Sequence, residues 1–360
     1  MITTKINGIL WSLAILFLYT KPVFSNHSHN SDNYSIAPPF NCPNKSDSEG
    51  RKYLSQDMMH SEMMFNELRN NIPGLKNLNN KQIMGMMKLM GPNYYWTFDK
   101  KDPNQETGAL LLAHGYGEEG DLDFHNSMSD ISSQHITTLS LGMSMMTSKH
   151  IECALFEIRQ NSAKKIYIVP ISSTPHNTLV QQWEYIFGLR NDHAYTKVKP
   201  VQANDVVFLD PISDHQIAKK IVLDYAQEIS IDPKNETVVI IAHGPVGETD
   251  NELELELMEN LATYVKIQGN FNTVRPFTLQ DDAPKEIRDR NVKQIKEYME
   301  NATLNGKKVL MVSNLMSGKG IQNKINEDFS GLDYKFNSKG FLTHPLFKEW
   351  VLESIESKDK

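Results

Sequence analysis

Two histidines follow apolar runs that could form buried strands. Each would therefore lie at the edge of a sheet. His114 directly follows Leu110–Ala113, and His176 lies in the loop after Ile166–Ile171. Ligand sites of open α/β sheets form at the carboxyl ends of strands. Neutral imidazole binds Fe, Co, Ni and Zn, and it accepts protons near neutral pH. We therefore predict that His114 and His176 form a metal-handling pair, as metal ligands and as catalytic groups.

Acidic residues follow the first of these histidines at short spacing. Glu118, Glu119 and Asp121 come soon after His114. A carboxylate beside a metal ligand can attract a hydrated cation or accept a proton. We expect Glu118 and Glu119 to be catalytic groups, with Asp121 assisting them. The alternative is a structural histidine that ends a strand and bonds only to the backbone.

A parallel sheet is needed to bring these residues to one edge. From about residue 106, short apolar runs rich in β-branched residues alternate with helical stretches. This alternation predicts an α/β architecture, with parallel strands and helices on both faces. The expected strands are Ala109–Ala113, Thr137–Leu141, Ile166–Ile171, Val206–Leu209, Val238–Ala242, Thr273–Phe277, Val309–Val312 and Tyr334–Phe336.

The pattern of strands occurs twice along the chain. Leu110–Gly115 matches Val239–Gly244, and Lys164–Val169 matches Lys307–Val312. Near the end of each half, His215 corresponds to His344, 129 residues later, the same interval that separates His114 from His243. The middle block, Lys164–Val169, is offset by 143 residues, so the second half gains and then loses about 14 residues internally. Three blocks in the same order indicate an internal duplication. The predicted repeats are residues 105–232 and 233–360.

These blocks resemble the small, cofactor-free chelatases of the sirohydrochlorin cobaltochelatase type. That family opens with a strand ending in His-Gly, as Leu110–Gly115 does, and its third strand leads to a second histidine, as Ile166–His176 does. Each repeat closes with an Asp-His-Pro-like helix start, as Asp214-His215 and Thr343-His344-Pro345 do. The resemblance covers about residues 105–357.

The resemblance implies two tandem flavodoxin-like lobes with mostly parallel sheets facing a central cleft. It implies a lyase that inserts a divalent metal ion, Co²⁺, Fe²⁺ or Ni²⁺, into a tetrapyrrole such as sirohydrochlorin, with no organic cofactor. One histidine would bind the incoming metal while a nearby histidine or carboxylate takes the pyrrole protons.

The second repeat departs from the family pattern at one position. Lys319 is the counterpart of His176, and a protonated lysine repels a cation. We therefore expect the working metal site in the first repeat, with His243 in a structural or substrate-lining role. Lys319 and Arg275 would instead meet the carboxylates of an acidic macrocycle, because both offer cationic donors; the alternative is solvated surface charge.

Two other functions fit parts of the pattern. An exported, non-catalytic protein that binds a metal ion or a haem-like tetrapyrrole would use the same cleft and histidines. Leu112–Gly117 also resembles the oxyanion-hole strand of α/β-hydrolases, which require a Gly-x-Ser-x-Gly elbow. The nearest candidate, Gly142–Met146, lacks the last glycine, so this reading is the weaker one.

The N-terminal sequence predicts export. Lys5 precedes the apolar run Ile9–Tyr19, which ends before the small-residue site Val23–Ser25. That order is typical of a secretory signal peptide, residues 1–25, and the run is too short to span a bilayer. We expect a secreted or periplasmic protein with no stable membrane insertion after cleavage.

A polar lead-in and a methionine-rich segment follow the signal. Residues 26–50 have a composition typical of disorder. Residues 51–104 contain two methionine-rich stretches separated by Asn71–Gly74, which predicts a helical extension of two amphipathic helices. An amphipathic pair must bury its apolar face, so we expect this extension to cover the cleft. Its methionines fit flexible core packing better than a site for soft ions.

Charge and cysteine content limit the remaining possibilities. The 360 residues include 37 Lys and Arg against 44 Asp and Glu, a net charge of −7. That balance argues against a nucleic-acid partner, which favours a basic surface. Cys42 and Cys153 are the two cysteines; in an oxidising compartment they could pair, and two free thiols fit the sequence almost as well.

Overall fold

Ten strands form in the described part of the chain, most of them from the continuous apolar runs expected of strands buried on both faces. In the computed structural model, residues 42–54, 61–201 and 203–359 are described. The predicted signal peptide and residues 26–41 lie outside them. The strands are β1 (Arg51–Tyr53), β2 (Tyr94–Thr97), β3 (Thr107–Leu112), β4 (Ile136–Leu141), β5 (Lys165–Pro170), β6 (Val206–Phe208), β7 (Glu236–Ala242), β8 (Thr273–Thr278), β9 (Lys308–Ser313) and β10 (Tyr334–Asn337).

Ten α-helices connect or flank these strands in the same residues. Most begin at a residue that accepts a backbone N–H or where the chain turns after a strand. The helices are α1 (Glu62–Asn71), α2 (Asn80–Leu89), α3 (Gly117–Met128), α4 (Lys149–Gln160), α5 (Thr178–Ile186), α6 (Gln216–Ile229), α7 (Glu248–Gly269), α8 (Lys285–Leu304), α9 (Gln322–Asp328) and α10 (Pro345–Asp359).

The strands form two sheets, which we call the first and the second sheet. The first has the order β1-β2-β4-β3-β5-β6, and the second has the order β10-β9-β7-β8. Strands β3 to β6 are mutually parallel, as are β7 to β10, whereas β1 and β2 are antiparallel additions beside β4. In each parallel set, the first strand in the chain lies between the second and the third. This is the beginning of the doubly wound order, and the predicted α/β class with mostly parallel sheets is confirmed.

Helices cover both faces of each sheet. One large core joins the β3 and β7 faces to helices α3, α6, α7 and α10. A second core packs the other face of the first sheet against α4 and α5, and a third packs the other face of the second sheet against α8 and α9. Each sheet is therefore covered on both sides, which explains why its central strands, β3 and β7, are largely continuous apolar runs.

The methionine-rich extension contains the two predicted helices. Ser61 accepts the N–H of Met64 at the start of α1, and Asn79 and Gln82 form a reciprocal capping box at the start of α2. Both helices bury apolar residues against the loop that follows β4, through Phe65, Leu68, Ile83, Met87, Met143, Met145 and Met146. The predicted α-helical extension is confirmed, and the strand pair β1–β2 is an addition that the sequence did not predict.

A disulfide joins the chain before β1 to helix α4. Cys42 and Cys153 are bonded, with their Cα atoms 5.7 Å apart. Nearby, Asp47 accepts the backbone N–H groups of Glu49 and Arg51. The last part of the predicted lead-in, residues 42–50, is thus attached to helix α4.

The two matching histidines near the end of each half begin helices. Nδ1 of His215 accepts the N–H of Ile217 at 3.2 Å, and Nδ1 of His344 accepts the N–H of Leu346 at 3.2 Å. Both rings therefore cap a helix, α6 or α10, and have a local structural role. Within residues 42–54, 61–201 and 203–359, no helix combines the length and the apolarity that a bilayer crossing requires.

Candidate functional site

His114 and His243 occupy equivalent places at the ends of the central strands. His114 follows β3 and His243 follows β7, so both rings lie at the carboxyl ends of parallel strands. Nδ1 of His114 lies 2.7 Å from the carbonyl oxygen of Gly115, and Nδ1 of His243 lies 3.1 Å from that of Gly244. A carbonyl only accepts, so each Nδ1 carries the hydrogen. In the neutral rings, Nε2 is then free to bind a metal or accept a proton.

Two aspartates complete a potential metal site around His243. Potential ligand atoms of His243, Asp281 and Asp282 all lie within 4.8 Å of one another. Nε2 of His243 is 3.8 Å from Oδ2 of Asp282. One imidazole and two carboxylates form a nitrogen and oxygen ligand set suited to divalent first-row metals, with coordination positions left for a substrate.

The turn after β8 positions these two aspartates beside His243. The N–H of Asp281 donates to the carbonyl oxygen of His243 at 3.1 Å. Gln280 has a φ of +49° and is buried, a conformation that a non-glycine residue adopts only when its surroundings hold it. Its amide donates to the carbonyl of Pro245 and accepts from Asn291. These contacts fix the turn that presents both carboxylates.

Cations outside the cavity keep one carboxylate ionised. Arg288 Nε and Lys324 Nζ lie 2.6 and 2.7 Å from Oδ1 of Asp281. Burial opposes ionisation of this carboxyl, but His243, Arg288 and Lys324 together lower its pKa. Asp281 therefore stays charged at neutral pH, although part of its charge is already balanced.

The pKa values of the two histidines are shifted in opposite directions. Burial lowers the pKa of His114, and the nearby charge of His243 lowers it further. Burial also opposes protonation of His243, but the carboxylates of Asp282 and Asp281 outweigh it and raise the pKa of that ring. Burial thus favours the neutral form of His114, whereas the two carboxylates favour the protonated form of His243.

A cavity of about 340 Å³ connects these groups. Residues after the strands of both sheets line it, including His114, His243 and Asp282. Its apolar lining is Met90, Met145, Ile171, Leu179, Val246, Leu315, Met316 and Ile321. The cavity combines apolar surface with a few polar groups, which is typical of small-molecule sites.

Glu254 contributes a further acid from helix α7. It lines the cavity, is only 2% exposed, and its Oε2 has no hydrogen-bond partner among the described residues. Burial raises its pKa to about 7, although His243 opposes the shift. A buried carboxyl of this kind is a group that a ligand donor could satisfy.

Distant likenesses to solved structures accompany this geometry. No protein-family model and no curated protein matches the chain. SirB from Bacillus subtilis with Fe³⁺ superposes with a TM-score of 0.49 at 16% identity, over 70% of this chain and 95% of that chain. DR2241 from Deinococcus radiodurans is described as a multi-domain protein with structural similarity to chelatases; it superposes with a TM-score of 0.44 at 13% identity, over 69% of this chain and 54% of that chain. These likenesses concern the fold alone.

His114 and His243 line the same cavity, whereas the predicted partner His176 is not among its lining residues. The loop before α5 lines the cavity through Ser172–Thr174 and Asn177. The backbone of His176 donates to the hydroxyl of Thr174. A metal pair of His114 and His176 stays a prediction. The cluster of His243, Asp281 and Asp282 lies at the edge of the second sheet.

The predicted acids near His114 do not line the cavity. Glu118 and Glu119 are 84% and 83% exposed at the start of α3. Asp121 is buried and accepts the N–H of Tyr116 and the hydroxyl of Tyr94. Asp121 thereby holds the turn that places Tyr116 against the ring of His114, with ring centroids 4.5 Å apart.

The two predicted carboxylate-binding cations also lie outside the cavity lining. Lys319 pairs with Glu119 at 3.1 Å on the surface. Arg275 is exposed on β8, stacks its guanidinium near Phe277 and Tyr298, and lines a separate cavity of about 270 Å³. Of the three residues predicted to bind an organic ligand, His243 alone lines the central cavity.

The helical extension reaches the cavity beside His114. Met90, just after α2, is part of the lining. A Cβ at Gly115 would lie 1.8 Å from the carbonyl oxygen of Met90, so only glycine permits this approach. The glycine of the His-Gly motif therefore also allows the extension to pack closely against the end of β3.

Sequence reasoning missed Asp281, Asp282 and Glu254. The first two form an Asp-Asp pair close after a predicted strand, the same signal that identified His114. Glu254 lies in a helix with several other acids, such as Glu252 and Glu256, and its burial depends on the packing of both sheets.

Proposed function

We propose that the protein binds a divalent metal ion at His243, Asp281 and Asp282 and inserts it into a tetrapyrrole held in the cavity. The observation that carries this proposal is the three-residue cluster opening into a cavity that also contains His114. The ion is a substrate here, with Co²⁺, Fe²⁺ and Ni²⁺ as the candidates. One imidazole and two carboxylates suit a borderline ion that must later be released.

Insertion also requires the removal of protons. The metal replaces the two protons on the pyrrole nitrogens, and both must leave the cavity. His114 supports this step because its lowered pKa keeps the ring neutral, with the hydrogen on Nδ1 and a free lone pair on Nε2. His243 and Asp282 would hold the metal while His114 accepts a proton.

A carrier that retains a metal or a tetrapyrrole is the second candidate. The specific support for it is the helical extension, which lines the cavity through Met90 and donates a hydrogen bond to Asp282 in the loop after β8. A covering of this kind slows the release of a bound molecule. An insertion enzyme releases its metallated product and reacts again, whereas a carrier retains one bound molecule.

The test is a spectroscopic titration of the protein with sirohydrochlorin, in the presence and absence of Co²⁺. An insertion enzyme converts many equivalents to the metallated product, and His243→Ala abolishes the conversion. Binding of one equivalent without conversion identifies the carrier. Failure to bind Co²⁺ would reject the insertion function at this site, and failure to bind either Co²⁺ or sirohydrochlorin would reject both functions.

Export is part of the same proposal. The predicted signal peptide at residues 1–25 and the disulfide between Cys42 and Cys153 both suit a secreted or periplasmic protein, since disulfides persist in oxidising compartments. Fractionation of cells that produce the full-length chain, with mass determination of its N-terminus, tests export and cleavage after Ser25.

A further inference from the structure

The central cavity has three acidic side chains in its lining and neither a lysine nor an arginine among the described residues there. The three are Glu254, Asp281 and Asp282. The other polar lining consists of the two histidines, tyrosines, hydroxyl side chains and an amide. The field inside the cavity therefore favours a cation or an N–H donor over a carboxylate.

The nearby cations do not change this balance. Arg288 and Lys324 contact Asp281 without lining the cavity. They reduce the charge of that carboxylate but offer no donor to a molecule inside. The cations expected to bind substrate carboxylates, Lys319 and Arg275, are a surface ion pair and a lining residue of the other cavity.

Glu254 provides the specific point of recognition. Its side chain is almost fully buried, it lines the cavity, and its Oε2 has no hydrogen-bond partner among the described residues. A buried polar atom left without a partner is costly, so a donor that reaches it gains more than it would in water. The ionised form of Glu254 would repel a ligand carboxylate at the same place.

We propose that the organic ligand of this cavity presents N–H or ammonium groups to Glu254 and places no carboxylate inside. The inference rests on the proposed function, because it names the ligand class of the same cleft. A pyrrole nitrogen or an amine satisfies Oε2, and the apolar lining receives the faces of the rings. Any carboxylates of the ligand remain in solvent.

Two matched porphyrins test this directly. The first is mesoporphyrin with its two free propionates, and the second is the same macrocycle with both propionates converted to aminoethyl amides, which carry ammonium groups. Binding of each to the purified protein is followed by the Soret shift at equal ionic strength. We expect the ammonium form to bind at least about tenfold more tightly.

A matched pair of variants assigns the preference to Glu254. Glu254→Gln keeps the shape and removes the ionisable carboxyl, and it should reduce the preference to about threefold or less, mainly by weakening the ammonium form. Glu256 lies in the same helix and is exposed. Glu256→Gln makes the same chemical change and should leave the preference unchanged.

The outcomes separate the inference from the proposed function. Equal or tighter binding of the propionate form overturns the inference, as does binding of neither porphyrin by a protein that still binds Co²⁺. A preference that Glu254→Gln leaves intact also overturns it. If the ammonium form is preferred but Co²⁺ does not bind, the metal function fails and the ligand inference stands.

Discussion

The backbone N–H of Gly74 donates a hydrogen bond to the carbonyl oxygen of Asp282, at 3.0 Å. Gly74 lies in the turn between α1 and α2, and Asp282 belongs to the potential metal site at the second sheet. The extension is packed mainly on the loop after β4 of the first sheet. It therefore connects the first sheet to a metal-site residue of the second.

This contact makes Gly74 a positioning residue for the metal site. A Cβ at Gly74 would lie 2.9 Å from the carbonyl oxygen of Asp282, so Gly74→Ala must displace the turn or the aspartate. We expect about tenfold weaker Co²⁺ affinity and altered intensity of the Co²⁺ d–d absorption bands.

Gly85 in α2 provides the control. A Cβ there meets nothing within 4 Å, and alanine is the better helix former by about 1 kcal/mol. Gly85→Ala should preserve the affinity and the spectrum and raise the thermal midpoint. If Gly74→Ala lowers only the thermal midpoint, the contact is structural and does not position Asp282.

Substitution of the three histidines distinguishes the two sheets as metal sites. His243→Ala should weaken Co²⁺ binding at least about tenfold, because it removes the imidazole of the cluster. His176→Ala should change the affinity by less than about threefold, since His176 does not line the cavity. Isothermal titration with Co²⁺ of both variants, and of His114→Ala for comparison, measures these affinities. Comparable losses in His114→Ala and His176→Ala, with His243→Ala unaffected, would favour the pair predicted from the sequence.

The architecture could be predicted because buried parallel strands appear in the sequence as short apolar runs that alternate with helical stretches. The expected run Thr273–Phe277 differs by one residue from β8, and Val238–Ala242 lies within β7. In contrast, β2 is short and follows Gly91-Pro92, and its pairing with β4 is a tertiary contact. The local pattern of apolar and polar residues does not show which distant strand pairs with the edge of a sheet.

The candidate site could be predicted only to the level of the sheet edge. The strand-end position of His114 follows from the sequence, and the cavity contains it. The direction of a loop side chain, such as that of His176, depends on the turn geometry after the strand. The orphaned carboxyl of Glu254 depends on how helix α7 packs, and no spacing in the sequence distinguishes it from the exposed Glu252 or Glu256.

Stability should depend on pH through Asp121. The buried carboxyl has a pKa raised to about 6, mainly by burial, despite the hydrogen bonds from Tyr116 and Tyr94. In the unfolded chain its pKa is about 4. Between about pH 4 and 6 the native state retains a proton that the unfolded state has lost, so the free energy of unfolding falls as pH rises, by about 3 kcal/mol in total.

Asp121→Asn tests that dependence. The amide oxygen can still accept the N–H of Tyr116, while the buried charge is removed. We expect a gain of about 2–3 kcal/mol in the free energy of unfolding at pH 7 and a flatter profile between pH 4 and 6. Asp123 is exposed in the same helix, and Asp123→Asn should stay within about 0.5 kcal/mol. Urea unfolding at several pH values measures both, and an unchanged or lower stability of Asp121→Asn would contradict the assignment.

The disulfide should be the largest single contribution to stability outside the cores. Cys42 and Cys153 are separated by 111 residues in the chain, and closing a loop of that length restricts the unfolded ensemble by about 4–5 kcal/mol in the chain-entropy formulation. The paired variant Cys42→Ala and Cys153→Ala should lose close to that amount in urea unfolding. Reduced wild-type protein should match the variant, because both remove the same crosslink. If reduction leaves the free energy of unfolding unchanged while mass spectrometry shows two free thiols, the attachment of residues 42–50 to helix α4 does not stabilise the native state.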